Sequence, residues 1–397
     1  MGMRADDGKS GPKSTPLALP WPRWHRDASG GHRTPVVART VPSSSQPADP
    51  MKRYLDYLWP IIGLVAVVWS VDLLWDKLKA EAGTDAAIEA LLAQGSLWDN
   101  LRIVASRIGQ KIAVIPTDAF FHAALATLVA YAALAWYDRI ALLHLGKEKG
   151  ISWLYISVCS FVTYALSHNI GASVFSGGMV RYRAYTAKGL TAADVAVLVA
   201  LCSFTFGFGT ILLMGLVLLY EPEILRPLGR LSSWFAISDG TARLIGVGML
   251  AFVALYTIGS WLKFRPFRIG KFEVIYPRLP IVARQYLAAP LELVGAAGII
   301  YFALPEQGNP GFMIVLGAFL LSFSAGLLSQ VPGGVGVMEA VFLAVMPGMP
   351  APAVFAALLI WRLFYLILPL VMSLPVVLMF ERAQLKRNIS TDPPAEP

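Results

Sequence analysis

The sequence predicts an all-α polytopic membrane protein of about six transmembrane helices plus two re-entrant helical hairpins, arranged as an inverted repeat. Three observations carry that prediction. Of the 397 residues, 56% are hydrophobic and only 15% charged, and the mean hydropathy is +0.60. That is more apolar surface than one water-soluble core can hide. Apolar runs near the ~20 residues needed to cross a bilayer recur at Leu58–Trp75, Ala119–Trp136, Val195–Tyr220, Leu244–Leu262, Tyr286–Ala303 and Ala353–Phe380. Finally, Pro- and Gly-rich breaks fall where the signs of the loops demand a return. Backbone groups must be satisfied within lipid, so the runs are helices. Stretches such as IIGLVAVVWSVDLLW do not alternate as barrel strands would.

Residues 1–50 are rich in Pro, Ser and Gly and have no apolar period, so they read as a disordered cytoplasmic segment. Because MKRYLDYLWPIIGL from Met51 is itself a plausible start, Met1–Pro50 is expected to be dispensable or an over-extended gene start. DLLWDKLKAEAG follows the first run where a small-residue cleavage site would stand, which favours an uncleaved helix over a signal peptide. The membrane domain is expected over residues 51–382, its halves at 51–220 and 240–382, with 383–397 a disordered cytoplasmic tail.

Lys52 and Arg53 put the N-terminus in the cytoplasm. The next segment begins acidic, with Asp76, Glu81, Asp85 and Glu89. Leu97, Leu101, Val104, Ile108, Ile112 and Ile115 then keep helical spacing opposite Arg102, Arg107 and Lys111, as a helix lying along the membrane surface does. The second crossing returns to the inside at YDRIALLHLGKEKG. A full crossing by Ile151–Phe175 would place Arg181, Arg183 and Lys188 outside and give every later loop the wrong sign. A hairpin that enters from the cytoplasm, breaks near SHNIGAS and returns restores the signs. The loop holding Lys263, Arg265, Arg268, Lys271, Arg278 and Arg284 against Glu273 is then cytoplasmic. In the second half, Gly311–Leu328 and the last helix would both run inward. Pro332, Gly333, Gly334 and Gly336 break the chain between them, and Val337–Met346 is long enough to climb back but too short to span. One hairpin thus enters from inside and the other from outside, an arrangement used by transporters.

The net charge of +8 gathers where apolar runs end, so it is explained by topology and not by nucleic acid. Cys159 and Cys202 lie in apolar runs without a metal-ligand spacing. No His-Glu-x-x-His helix, phosphate loop or nucleophile elbow is present in the sequence. No metal, cofactor or hydrolytic chemistry is expected.

In order and spacing, YDRIALLHLG, SHNIGASVFSGGMVRYRAYTAKGLTAADVA, FTFGFG and LLSQVPGGVGVMEAV resemble the lysylphosphatidylglycerol synthase transmembrane region, the flippase part of bacterial multiple peptide resistance factors. The resemblance covers roughly Leu58 to Arg382. It implies movement of anionic or aminoacylated phosphatidylglycerol-type lipids between leaflets of the bacterial cytoplasmic (inner) membrane, with both termini cytoplasmic. The family's aminoacyl-transferase domain would follow Arg382, where this sequence has AQLKRNISTDPPAEP. The expectation is therefore a translocase and not an enzyme.

Candidate residues follow. Arg181 and Arg183 either anchor a hairpin end at the head groups or grip a lipid phosphate, with SGG allowing close approach. His168 and Asn169, at the first turn, either bond backbone groups freed by the break or touch substrate. Gly171, Gly177 and Gly178 are taken as conformational, as the breaks of the first hairpin. Glu339, Arg362 and Glu292 are ionisable groups at membrane depth, where each must face a partner or water. Glu292 is the expected partner of Arg362, either as a structural pair or with Glu339 as a polar path. Asp138 and Arg139 are expected as an interface anchor. The partner is membrane phospholipid; a lipid-modifying enzyme or a second copy of the chain are further candidates. Two other functions stay open: a secondary transporter of a small polar or anionic solute, and a non-transporting partner of a lipid-modifying enzyme.

Overall fold

The computed structural model describes Arg102, Ser106, Gly109, Gln110 and residues 112–391 apart from 171–172, 231–236, 265–266, 270–271, 275 and 347. The first expected helix, most of the expected surface helix and Gly171 lie outside the described residues.

Within them the chain is helical. Helices α1 (Thr117–Leu145), α2 (Trp153–Ile170), α3 (Ser173–Thr186), α4 (Ala192–Tyr220) and α5 (Asp239–Trp261) are followed by a two-stranded hairpin. Its strands, β1 (Phe267–Ile269) and β2 (Phe272–Val274), pair antiparallel with Phe267 opposite Val274. Then come α6 (Leu279–Ala303), α7 (Phe312–Leu328), α8 (Val337–Val345), α9 (Ala351–Trp361), a π-helical turn (Arg362–Ile367) and α10 (Leu368–Thr391). Among the described residues, five helices are long and apolar enough to span a membrane: α1, α4, α5, α6 and the run Ala351–Phe380. The protein is a polytopic membrane protein, and these five coincide with the second to sixth expected crossings.

Local chemistry sets the ends. α1 stops at Gly146, in the left-handed conformation, whose N–H bonds back to Leu142 and Leu143. Thr191 caps α4: its side chain accepts from Asp194 N while the Asp194 carboxylate accepts from Thr191 N. Ser238 caps α5 by accepting from Thr241 N. Between α7 and α8, Gly333 and Gly334 (φ 62° and 61°) and Gly336 (φ 82°) adopt backbone conformations that side chains disfavour. The expected break is here.

The two short-helix pairs fold back on themselves. The Tyr155 hydroxyl donates to Ala184 O at 2.7 Å, while at the other end Gly177 lies against Thr163 and Ser167, so α2 and α3 run antiparallel. Gly177 and Gly178 do not break the chain, as had been expected. They sit inside α3, where the bare backbone of Gly177 lets α3 lie close on Thr163 and Ser167 of α2, while Gly178 faces Val199 on α4. Helix α7 packs on α8; Gly326 meets Gly334 near the turn, and Ile314 and Val345 line one cavity at the far ends.

The centre of the molecule is the α1–α6 pair. Lipid tails are as apolar as leucine, so helices associate in membranes by close packing of small residues. The contact here uses small residues: the buried Ala126 and Ala130 on α1 face Gly295 and Gly298 on α6. At Gly295 the backbones nearly touch; a Cβ there would lie 2.9 Å from Ala126 O and 3.1 Å from Ala130 N. Three residues on, a Cβ at Gly298 would meet nothing nearer than 3.6 Å. Gly295→Ala is therefore expected to lower stability by about 1–3 kcal/mol through overpacking, and Gly298→Ala to leave it unchanged. Thermal unfolding of the two purified variants in the same detergent checks the difference.

Candidate functional site

The interior holds charge. Arg181 stands one turn after Gly177 on α3 and reaches α1, where its Nε and Nη2 donate to Asp138 Oδ1 at 3.1 and 2.7 Å. Asp138 also accepts from the Tyr185 hydroxyl at 2.9 Å and from the Cys202 thiol at 3.4 Å. The guanidinium lies 4.7 Å from the centre of the Tyr164 ring, a cation–π contact. Arg181 is 4% exposed and Asp138 0%. Removing two ions from water costs several kcal/mol each, and the pair is tolerable because every acceptor site of the carboxylate is used. Asp138 is thus no interface anchor. Successive helix residues point about 100° apart, so Asp138 faces the core while Arg139 stays half-buried with its guanidinium 6.0 Å from the Trp153 ring.

A second pair, its carboxylate buried and its guanidinium partly so, lies at the Pro332–Gly336 break. Arg362 Nε donates to Glu339 Oε1 at 2.6 Å, and Arg362 Nη1 to Gly333 O at 2.8 Å. The other Glu339 oxygen accepts from Gly336 N at 2.8 Å, capping α8. Arg362 therefore pairs with Glu339 and not, as expected, with Glu292. Glu292 accepts from the Tyr365 hydroxyl at 2.5 Å and the Tyr137 hydroxyl at 3.4 Å.

Proline explains the π turn between the pairs. Pro369 has no N–H, so it cannot donate to Tyr365 O four residues earlier. That carbonyl instead accepts from the Tyr131 hydroxyl at 3.0 Å. Its neighbour Leu366 O accepts from Asn169 Nδ2 at 3.1 Å, and the same nitrogen donates to Ala165 O at 2.8 Å. Single π turns often accompany functional sites. This one turns Arg362 toward Gly333 and Glu339 and Tyr365 toward Glu292. The Tyr365 ring stacks on His168 (5.4 Å, 18°) and on Trp361 (5.1 Å, 22°).

The two breaks meet at this turn. A side-chain carbon on Gly333 would come 3.5 Å from Arg362 Nη1 and 3.9 Å from His168 O, so the end of α2 abuts the Pro332–Gly334 turn. Between them is a cavity of about 30 Å³ lined by His168, Gln330, Gly333, Gly334, Trp361 and Leu366 among others. That volume suits about one water molecule. His168 Nδ1 and Trp361 Nε1 are buried there without a protein partner.

Of the expected residues, the structure gathers His168, Asn169, Glu339, Arg362 and the Pro332–Gly336 break around the π turn. Glu292 joins them through Tyr365. Arg181 forms a separate centre with Asp138, and Arg183, two positions on, is exposed on the opposite face of α3. Sequence reasoning missed Tyr131, Tyr137, Tyr185, Cys202 and Tyr365. The readable signal was Pro369, whose missing donor demands a hydroxyl partner. Among the described residues no group of His, Cys, Asp and Glu could hold a metal ion.

No family model matches the chain. It is 30% identical over 246 residues to the uncharacterized protein slr0712 of Synechocystis sp., an alignment covering 61% of this chain and 73% of that protein. It is 28% identical over 258 residues to the inner membrane protein YbhN of Escherichia coli, covering 64% and 77% respectively. Over 91 residues it is 32% identical to the phosphatidylglycerol lysyltransferase of Staphylococcus haemolyticus, covering 22% of this chain and 11% of that enzyme.

Removing one partner of a buried pair strands the other charge. Arg181→Gln is expected to cost about 3–5 kcal/mol, and the double variant Arg181→Gln with Asp138→Asn to recover most of it. A double-mutant cycle by thermal unfolding measures the coupling; simple additivity would show that the two side chains act independently.

Proposed function

This chain belongs to the lysylphosphatidylglycerol synthase transmembrane region family, and from that premise we propose that it is a phospholipid translocase. Its substrates would be anionic or aminoacylated phosphatidylglycerol-type lipids, moved between the leaflets of a bacterial inner membrane. The observation that carries the proposal is the meeting of the α2 end with the Pro332–Gly336 break at Arg362, which pairs with Glu339, while Arg181 inside α3 pairs with the buried Asp138. Irregular backbone and ionised groups at membrane depth are tolerated only where they serve each other or a path. The α2–α3 and α7–α8 pairs are then the two re-entrant hairpins of an inverted repeat, entering from opposite faces, with the chain termini cytoplasmic.

The chemistry follows from what arginine accepts. A phosphate presents two oxygens to a guanidinium much as a carboxylate does. In the arrangement described above, Asp138 occupies Arg181 and Glu339 occupies Arg362. An arriving phosphate head group replaces a carboxylate as the arginine's partner, and the acyl tails remain in the bilayer. Release of a carboxylate loosens its hairpin, and rocking of the two halves exchanges access from one leaflet to the other. Glu292 accepts from the Tyr365 and Tyr137 hydroxyls throughout, which ties α6 to the π turn.

A second reading is a transporter of a small polar or anionic solute. The narrow 30 Å³ cavity favours it, since no lipid head group fits that space without movement.

Proteoliposomes with fluorescent phosphatidylglycerol distinguish them. The proposal expects wild-type protein to speed loss of inner-leaflet protection from dithionite, and Arg362→Gln, in a fraction verified as folded, to slow it about tenfold or more. That factor corresponds to losing one charge-assisted contact of ~1.5–3 kcal/mol. Uptake of a soluble anion with no lipid movement would support the second reading instead.

A further inference from the structure

Away from the buried charges, α2, α3 and α10 line an apolar groove of about 250 Å³. On α2 it is lined by Tyr155, Val158, Val162 and Leu166, at helical spacing. Helix α3 contributes Met179 and Arg183, and α10 contributes Val376 and Phe380. From Tyr155 to Leu166 the groove runs eleven helical residues, about 16 Å at 1.5 Å per residue. One leaflet of a ~30 Å hydrocarbon core is about 15 Å deep.

The two ends differ in polarity. At the Leu166 and Met179 end every lining group is apolar. At the other end the Tyr155 hydroxyl holds Ala184 O at 2.7 Å, Lys188 Nζ sits 4.6 Å from the centre of the Tyr155 ring, and Arg183 lines the wall. Arg183 and Lys188 are both exposed. A slot one leaflet deep, apolar inside and doubly cationic at its mouth, matches one ligand chemistry: an acyl chain joined to an anionic head group.

We propose that this groove is a binding site for an anionic phospholipid of the adjoining leaflet, with one acyl chain between α2, α3 and α10 and the phosphate on Arg183 and Lys188. Zwitterionic lipid gains the apolar contact but less from the two cations, so the site selects by head-group charge. Arg181 and Arg183 are two residues apart, on opposite faces of α3, so the lipid waits one helix thickness from the buried Arg181–Asp138 pair. The site's role as a waiting position for transport rests on the translocase reading; the binding itself does not.

Photo-crosslinking tests it. Purified protein in phosphatidylcholine nanodiscs is doped with phosphatidylglycerol carrying a diazirine midway along one acyl chain, or with phosphatidylcholine carrying the same chain, and labelled peptides are mapped by mass spectrometry. The proposal expects the phosphatidylglycerol probe to label α2 and α10 groove residues several-fold more than the phosphatidylcholine probe. Arg183→Gln with Lys188→Gln should bring the first down to the level of the second. Val158→Trp, which fills the groove, should reduce labelling by both. Equal labelling by the two probes in wild-type protein, or a preference that survives the double substitution, overturns the proposal. A charge-dependent preference in protein that moves no lipid keeps the groove and removes the translocase reading; lipid movement without the preference does the reverse.

Discussion

A guanidinium and a carboxylate buried together in a membrane protein constrain everything around them. Arg181 and Asp138 lie 43 positions apart on different helices, yet both are almost wholly removed from solvent. Neither charge is tolerable alone at that depth. α3 must therefore stay close enough to α1 for the bond, which needs the bare backbone of Gly177 against α2. Tyr185, Cys202 and the Tyr164 ring complete the shell. Arg362 and Glu339 repeat the logic at the Pro332–Gly336 break, with backbone groups of Gly333 and Gly336 in place of side chains.

The two centres are joined by aromatic side chains more than by charge. Pro369 withholds a hydrogen bond, the helix widens into a π turn, and Tyr131 and Asn169 satisfy the carbonyls left over. The same turn sets Tyr365 between His168 and Trp361 while its hydroxyl holds Glu292. Movement of either short-helix pair would have to disturb this stack. A rigid frame is available to move against, because α1 and α6 meet through alanines and Gly295 with almost no free space.

The long spans were legible because hydrophobic length is a local property. Runs such as Val195–Tyr220 and Ala353–Phe380 can be counted along the chain, and the helices begin and end within a few residues of them. The second break was equally plain, since Pro332, Gly333, Gly334 and Gly336 each disfavour a continuous helix. The pairing of charges was not legible. Glu339 and Glu292 were both reasonable partners for Arg362, and sequence separation does not rank them; the π turn does, by rotating Arg362 toward the Pro332–Gly334 turn. Asp138 looked like an anchor because it follows an apolar run and precedes Arg139. Only the reach of Arg181 and Tyr185 from α3 and of Cys202 from α4 turns it into an interior residue. Gly177 and Gly178 were misread because glycine permits both a break and a close helix contact, and the choice depends on a neighbouring helix that no local pattern reveals.

The central claim is that a lipid phosphate takes the place of a carboxylate at a buried arginine. A high-resolution structure of the protein in nanodiscs of phosphatidylglycerol, with its lipid density resolved, tests this most directly. The account predicts a head-group phosphate within hydrogen-bond reach of Arg181 or Arg362, with Asp138 or Glu339 turned away from it. Density for lipid confined to the outer surface under saturating phosphatidylglycerol, with both ion pairs intact in every conformational class, would contradict it.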